Sequence, residues 1–485
     1  SVEADTEIAE FSSGLIGVHD LTAPMQFTIR TYDEYRWTLV AKKNIKRYFT
    51  VEGQVGTSVI DDYNCRAVAY VGKNTDVSNM TVTSLKLGPE GLSDYSKDIS
   101  DIKDFTHGVS VEVTAFGQTE VWNLYVEVAE LTVEIKKVNP WTRHAYVTAD
   151  GIAGNDHGFR YRRTGESAWN TVPESDISSD GGSFVAYIRN LEPETDYEIV
   201  AYSGSEETSV WEFTTDAEVR IPNGSFEYAS KVSGKDYYKF YDPDCGVEEG
   251  SFMFWGSGNG EGSEGVNGSA NLGIVITYID TEEKVDGRQS VRAQTSQMAG
   301  MLAAGNLFTG QFAGLVGTSG GMVNFGRPWT TRPMALKLYC RYTTGKIDII
   351  KGSPAGVTLT RDDYDLAEIK FALGKWDYRK YGGTPESPVH VNTTDASTFI
   401  DYRTDGATIA DGSLIIHHDG YVLNDAEKVA SDTGEWMEYT IPLRYHSLED
   451  IPTHIVISCA ASRYGDYFTG YSGSKLWIDA VELIY

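Results

Sequence analysis

The chain has 485 residues, 41% apolar and 23% charged, which predicts a folded globular protein of roughly three domains and excludes a disordered, collagen-like or disulfide-scaffold chain. Its 41 Lys and Arg against 70 Asp and Glu leave a formal charge of -29. The densest basic run is only Lys42, Lys43, Lys46 and Arg47, so DNA, RNA and anionic lipid are poor partners.

The longest uncharged stretch, between Arg292 and Arg327, holds eight glycines among Gln, Ser, Thr and Asn. That is too polar for a lipid-facing helix, and no transmembrane segment is expected; buried strands with tight turns are. Ser1 starts without Met or a signal-like apolar run, consistent with an export signal already removed. Four cysteines show no metal spacing, and Cys340 and Cys459 lie in strand-like runs that predict small buried side chains.

Apolar residues alternate with period two almost throughout, as in Ser110 to Phe116 and Lys475 to Leu483, and sustained helical periodicity is absent. The chain is expected to be all-β, made of sandwiches or jelly rolls. Residues 1–130 form the first expected unit. Its two strands Ser110 to Phe116 and Val121 to Val128 flank a polar turn at Gly117-Gln118-Thr119. This resembles the closing hairpin of Ig-like repeats in bacterial surface proteins.

Residues 131–217 form the second. Leu191-Glu-Pro193-Glu-Thr195-Asp-Tyr197, followed by Trp211-Glu-Phe213, resembles a fibronectin type III domain. The resemblance implies an inward Leu191, a corner shaped by Pro193 and a Tyr197 hydroxyl bonded back to the main chain, with Phe159 and Tyr161 on the following strand. His144-Ala-Tyr stands where that family usually has a Trp. Thr214 to Glu218 reads as a linker, so the last domain is expected to fold alone.

Residues 218–485 form the third unit. Asn223-Gly-Ser-Phe-Glu227, Ala303-Ala-Gly-Asn306-Leu-Phe308, Asn324-Phe-Gly-Arg327-Pro-Trp329-Thr-Thr-Arg332 and Ala461-Ser-Arg-Tyr464-Gly-Asp466 lead to a closing Leu476-Trp-Ile-Asp479. Together these resemble the putative carbohydrate metabolism domain of bacterial surface lipoproteins. The resemblance implies a jelly roll related to carbohydrate-binding modules, polysaccharide or oligosaccharide as ligand, display at the cell surface or outer membrane through a lipid anchor outside this sequence, and other surface glycan-utilisation proteins as partners. It also implies one structural Ca²⁺, with Glu227 and Asp479 as hard oxygen ligands joining the two ends of the domain.

Sugar sites combine aromatic platforms with amide or guanidinium donors. The expected platforms are Trp255, Trp329 and Trp376 with neighbouring Tyr378, and the expected donors are Arg327 and Arg332, which flank one turn and would suit a uronate or sulfated sugar if they met over one groove. Burial in the core is the competing reading for each Trp, and ion pairs with acids such as Asp466 for each Arg. Asp362, Asp363, Asp365 and Glu368 form the densest acidic cluster and read as solvated surface; Glu435 and Glu438 read as strand exterior. His417-His418-Asp419 places its imidazoles on opposite strand faces, against chelation of one ion. No serine elbow, zinc helix, phosphate loop or dinucleotide fingerprint occurs, so no organic cofactor is expected. The reading is therefore non-catalytic carbohydrate binding, with a two-carboxylate glycoside hydrolase as the alternative and a structural or adhesive protein as the second alternative.

Overall fold

The computed structural model describes residues 10–11, 25–30, 34–39, 45–129, 133–250, 253–260, 268–298, 300–317, 319–418, 429–432 and 434–485. The described chain is all-β apart from single-turn helices. None of its helices is long and apolar enough to cross a membrane.

Within the first 130 residues, Glu10–Phe11, Met25–Arg30 and Glu34–Leu39 make a three-stranded sheet that pairs with no other described strand. The sandwich begins later, at Tyr48. Its core of Phe49, Val71, Leu87, Trp122 and Leu124 lies between the pair Tyr48–Val51 and Val82–Lys86 and a five-stranded sheet. Its hairpin turns at Phe116-Gly117, one residue ahead of the expected turn, because Gln118 already pairs with Ala115. Both turn residues have positive φ, 54° and 75°, which matches the twist of the flanking strands.

The second unit buries Phe159, Phe184, Leu191 and Ile199 between two sheets. The Glu192 N–H donates to the Tyr197 hydroxyl at 2.9 Å, the back-bond expected of a tyrosine corner. Main chain stitches this unit to the first: Gly56 N–H donates to Gly151 at 3.0 Å, and Ala153 N–H to Gln54 at 2.5 Å. Gly182 lies at this seam, where a Cβ would come within 2.5 Å of the Gly56 nitrogen.

The last unit is a two-sheet sandwich. One sheet runs Thr277–Asp280, Ser290–Gln294, Lys475–Ile484, Ala335–Thr343 and Met437–Pro442. The larger one centres on His454–Ala460, Ala367–Gly374 and Thr408–His418 and extends through Asn306–Val316 and Gly320–Phe325 to Val389–Asn392. The uncharged stretch supplies two of these strands. Alternation sends Ile369, Phe371, Leu373, Ile455, Ile457 and Cys459 into the core against Leu338, Cys340 and Ile478 of the other sheet. Ala372 and Val456 point the opposite way, beneath a second small core of Trp376, Val389, Val391 and Tyr402. Residues 375–407, between two central strands, thus cover part of the outer face of the large sheet.

Candidate functional site

The three tryptophans are core residues. Trp255 is 3% exposed, packs against Phe226 and donates its indole N–H to Pro222 at 2.9 Å. Trp329 is 7% exposed beside Phe254. Trp376 is 2% exposed, edge-on to Tyr402, and donates to Asp405 at 3.3 Å. None of them presents a face to a sugar. Tyr378 remains half-buried at the surface on the short helix Tyr378–Tyr381, with Arg379 over its ring.

The two arginines do not meet over a groove. Arg327, 2% exposed, donates Nε to the Phe254 carbonyl at 3.0 Å, Nη1 to Ser387 at 2.6 Å and Nη2 to the Gly310 carbonyl, tying together loops within the domain. Arg332 reaches out of the domain into the second unit, where Nη2 pairs with Asp216 at 2.8 Å and donates to the Pro140 carbonyl at 2.5 Å. Its Nη1 donates to Asn139 at 3.0 Å, and the guanidinium lies 4.5 Å from the Trp141 ring centre. Asp216 is therefore an interface residue, and Thr214 to Glu218 is no free linker. Neither arginine pairs with Asp466.

Glu227 and Asp479 converge on one loop. Glu227 accepts from the Arg288 N–H at 2.8 Å, the Gln289 N–H at 3.2 Å and the Arg288 guanidinium at 3.0 Å. The buried Asp479 accepts from the Val285 and Asp286 N–H groups at 2.8 and 3.1 Å, and burial raises its carboxyl above the usual range. Among the described residues no group of three or more His, Cys, Asp and Glu is placed to hold a metal. An ion here needs backbone oxygens and displacement of N–H donors from these carboxylates. His417 is buried, and Asp419 lies outside the described residues.

A cleft of about 450 Å³ lies in residues 380–405 over the large sheet. Its lining includes Tyr381, His390, Phe399, Asp401 and Asp405. Asp405 is the hub of its wall, accepting from the Tyr381 hydroxyl at 2.8 Å, the Ala407 N–H at 3.0 Å and the Trp376 indole. Burial and this bond push the Tyr381 phenol up to about 12, so it stays a donor. His390 Nδ1 donates to the Asn324 side-chain oxygen at 2.7 Å. Aromatic edges, carboxylates and an imidazole in one concave space suit a polyhydroxylated ligand.

Phe399 also meets Tyr467 edge-on, ring centres 5.3 Å apart. Glu368 and Lys370 alternate with the core residues Ala367, Ile369 and Phe371, so both point outward. Lys370 stands opposite Ser458 and Ser413, and Glu368 opposite Ala460 and Ile415. The Glu368 carboxylate lies 3.2 Å from Lys370 Nζ and 3.4 Å from Arg463 Nε. The loop from Ala461 to Gly470 carries Asp466 on a single 3-10 turn, Gly465–Tyr467, closed by Phe468 at φ 55°. Surrounding protein and then Glu368 raise the Asp466 carboxyl above its usual value, against the pull of Lys370.

Asp365 fixes that loop. It is fully buried and accepts from the Ser462 hydroxyl at 2.6 Å, the Tyr471 N–H at 2.8 Å and the Ser474 hydroxyl at 2.8 Å, on both sides of Asp466. The acidic cluster read as solvated surface thus divides: Asp362 is solvated, Asp365 is buried and Glu368 pairs with Lys370 and Arg463. One local signal could have found Glu368 and Lys370, since Ala-Glu-Ile-Lys-Phe-Ala puts charges at every second position of an apolar strand.

No curated protein matches the chain. Among solved structures, a putative glycoside hydrolase from Bacteroides thetaiotaomicron is 19% identical, the alignment covering 92% of this chain and 99% of that one at a TM-score of 0.35. A putative glycoside hydrolase from Bacteroides vulgatus is 20% identical over 54% of this chain and 96% of that one, at 0.34. The CBM22 tandem domain of Paenibacillus barcinonensis Xyn10C is 9% identical over 90% of this chain and 98% of that one, at 0.19. Residues 225–484, more than half of the chain, match the family model described as putative carbohydrate metabolism domain, and the chain belongs to that family.

Proposed function

We propose that the protein binds oligosaccharide or the end of a polysaccharide on the outer face of its C-terminal sandwich, in the cleft of residues 380–405. The observation that carries this reading is the cleft itself: about 450 Å³ of concave space in a carbohydrate metabolism domain, combining Tyr381 and Phe399 with Asp401, Asp405 and His390. Neutral sugars suit it better than uronates, because the buried Arg327 and Arg332 are committed elsewhere and the lining holds two carboxylates against one lysine. The proposal includes export and display at the cell surface among other glycan-utilisation proteins, supported by the surface-lipoprotein resemblance of the C-terminal blocks.

A glycan array probed with the full chain tests it, followed by titration of the best neutral ligand against Phe399→Ala and His390→Ala. Each substitution is expected to weaken binding at least tenfold with the melting temperature within a few degrees of the parent. Unchanged affinity in both variants moves the site off the cleft.

A further inference from the structure

We propose that the cleft of residues 380–405 selects its ligand by hydroxyl protons, with Asp405 as the residue that sets the choice. It takes a sugar unit with two free, gauche hydroxyls on neighbouring ring carbons and refuses one that is O-acylated, O-sulfated or O-methylated there. The proposal rests on the carbohydrate reading above and deepens it, from glycans at large to one class of glycan. A hydroxyl has one proton and two lone pairs, so once the proton goes to a protein acceptor only lone pairs are left for a ligand. Tyr381 gives its proton to Asp405 at 2.8 Å, and Ser397 gives its own to the Asp395 carboxylate at 2.6 Å. Thr398 donates to the Asp395 carbonyl at 2.7 Å and Thr404 to the Asp401 carboxylate at 3.3 Å. Every hydroxyl side chain of the lining is spent in this way.

Asp401 and Asp405 add carboxylate oxygens, which accept only. Against these acceptors the lining sets the His390 ring and one ammonium, that of Lys380, which lies 5.2 Å from the Tyr381 ring centre. A ligand group that meets such a wall has to donate. An ester, ether or sulfate oxygen brings no proton, so both it and the wall acceptor lose their water and gain no bond. Asp405 is the acceptor held most firmly. Its Oδ1 takes the Tyr381 hydroxyl at 3.0 Å, the Ala407 N–H at 3.0 Å and the Trp376 indole at 3.3 Å, while among the described groups Oδ2 takes Tyr381 alone. The carboxylate is therefore fixed before a ligand arrives, and hydrogen bonds to a carboxylate are stronger than those between neutral groups. Tyr381 Oη and Asp405 Oδ2 stand 2.8 Å apart, the spacing of a gauche pair of hydroxyl oxygens on adjacent ring carbons. Two ligand hydroxyls can thus donate side by side, one to each oxygen.

The experiment probes an array of neutral gluco-, manno-, galacto- and xylo-oligosaccharides with the full chain, each sugar printed free, partially O-methylated, O-acetylated and O-sulfated. The modified forms of any sugar that binds are expected to lose at least tenfold in affinity. Asp405→Asn keeps an oxygen for the Trp376 and Ala407 N–H groups and puts an amide donor where Oδ2 stood. It is expected to weaken the free forms at least tenfold, with the melting temperature within a few degrees of the parent, and to leave O-methylation with little further effect. Tyr381→Phe removes the other acceptor of the pair and keeps the test open if Asp405→Asn folds poorly. A parent that binds modified forms as well as free ones overturns the selection. So do variants that bind the free forms like the parent while Phe399→Ala and His390→Ala lose them, an outcome that leaves the cleft standing as the binding site. A chain that binds no glycan, free or modified, overturns the carbohydrate reading and this proposal together.

Discussion

Arg332 of the C-terminal sandwich lies with its guanidinium 4.5 Å from the ring centre of Trp141 in the preceding unit. The contact joins two domains that the sequence reads as separable. Around it, Asn139 donates to the Leu448 carbonyl at 2.8 Å, Tyr445 packs edge-on against Trp141, and the C-terminal Tyr485 hydroxyl donates to Val219 at 2.8 Å. A guanidinium with four polar partners and an aromatic roof is a fixed joint, since Arg loses little freedom per bond when its planar fork is matched.

The joint predicts that Arg332→Ala costs about 2–4 kcal/mol, because Asn139 Oδ1 and the Pro140 carbonyl lose a donor inside the interface and Asp216 loses its cation. Arg332→Lys should recover only part, since one ammonium cannot reproduce the fork. Urea unfolding of the full chain measures both. Residues 218–485 expressed alone should melt well below the full chain. Equal melting would mean that the interface adds nothing to the last domain.

Trp329→Ala is expected to cost about 3–5 kcal/mol of stability by cavity formation, while the molecules that remain folded bind glycan with parental affinity. The ring is 7% exposed within the main core and its neighbours are apolar. A platform residue would behave the other way round, losing affinity and keeping stability. Calorimetric melting with a binding titration at a temperature where the variant is folded separates the two.

Sequence pattern carried the architecture further than it carried the site. Period-two alternation suffices for an all-β chain, because a sheet with one buried face must alternate. Leu191 and Tyr197 are legible for a similar reason, since their roles are set by residues a few positions away. Arg327, Trp329 and Arg332 show the limit. A Trp between two arginines at a turn is equally good chemistry for a sugar or for a joint, and the choice depends on what packs over the turn from Gly310, Ser387 and Asn139, up to 193 positions distant. The charged cluster on the outer face was hidden likewise, because Glu368 and Arg463 come together only when the 461–470 loop folds back over a strand almost a hundred residues earlier.

Calcium at the end of the domain is a proposal carried by Glu227 and Asp479, which bracket the loop from Val285 to Gln289. If an ion binds there, the N–H donors now facing these oxygens must turn away and loop carbonyls replace them, which couples binding to a local rearrangement. Stabilisation follows RT ln(1 + [L]/Kd), about 2.7 kcal/mol at a hundredfold excess over Kd. Metal-free protein melted with and without millimolar Ca²⁺ should differ by several degrees, and Asp479→Asn should abolish the difference. Coincident curves for the metal-free parent leave the two acids as loop anchors only.

Asp365 gives the last prediction, a dependence of stability on pH. Burial pushes its carboxyl up to about 6 even though Ser462, Tyr471, Ser474 and Leu366 all donate to it and pull the other way. A folded-state value above the unfolded one means that the proton is bound more tightly in the native protein. The contribution is therefore full below about pH 4 and is lost as pH rises through 6. Two units correspond to about 3 kcal/mol, an upper figure for one carboxyl. Asp365→Asn cannot titrate, so the stability gap between parent and variant should shrink by up to that amount from pH 4 to 7. Glycan binding in the 380–405 cleft, which Asp365 does not line, should persist in the variant. Denaturant unfolding of both proteins at half-unit pH steps reads the first effect. A gap that stays constant across the range would mean that the four donors hold Asp365 ionised throughout.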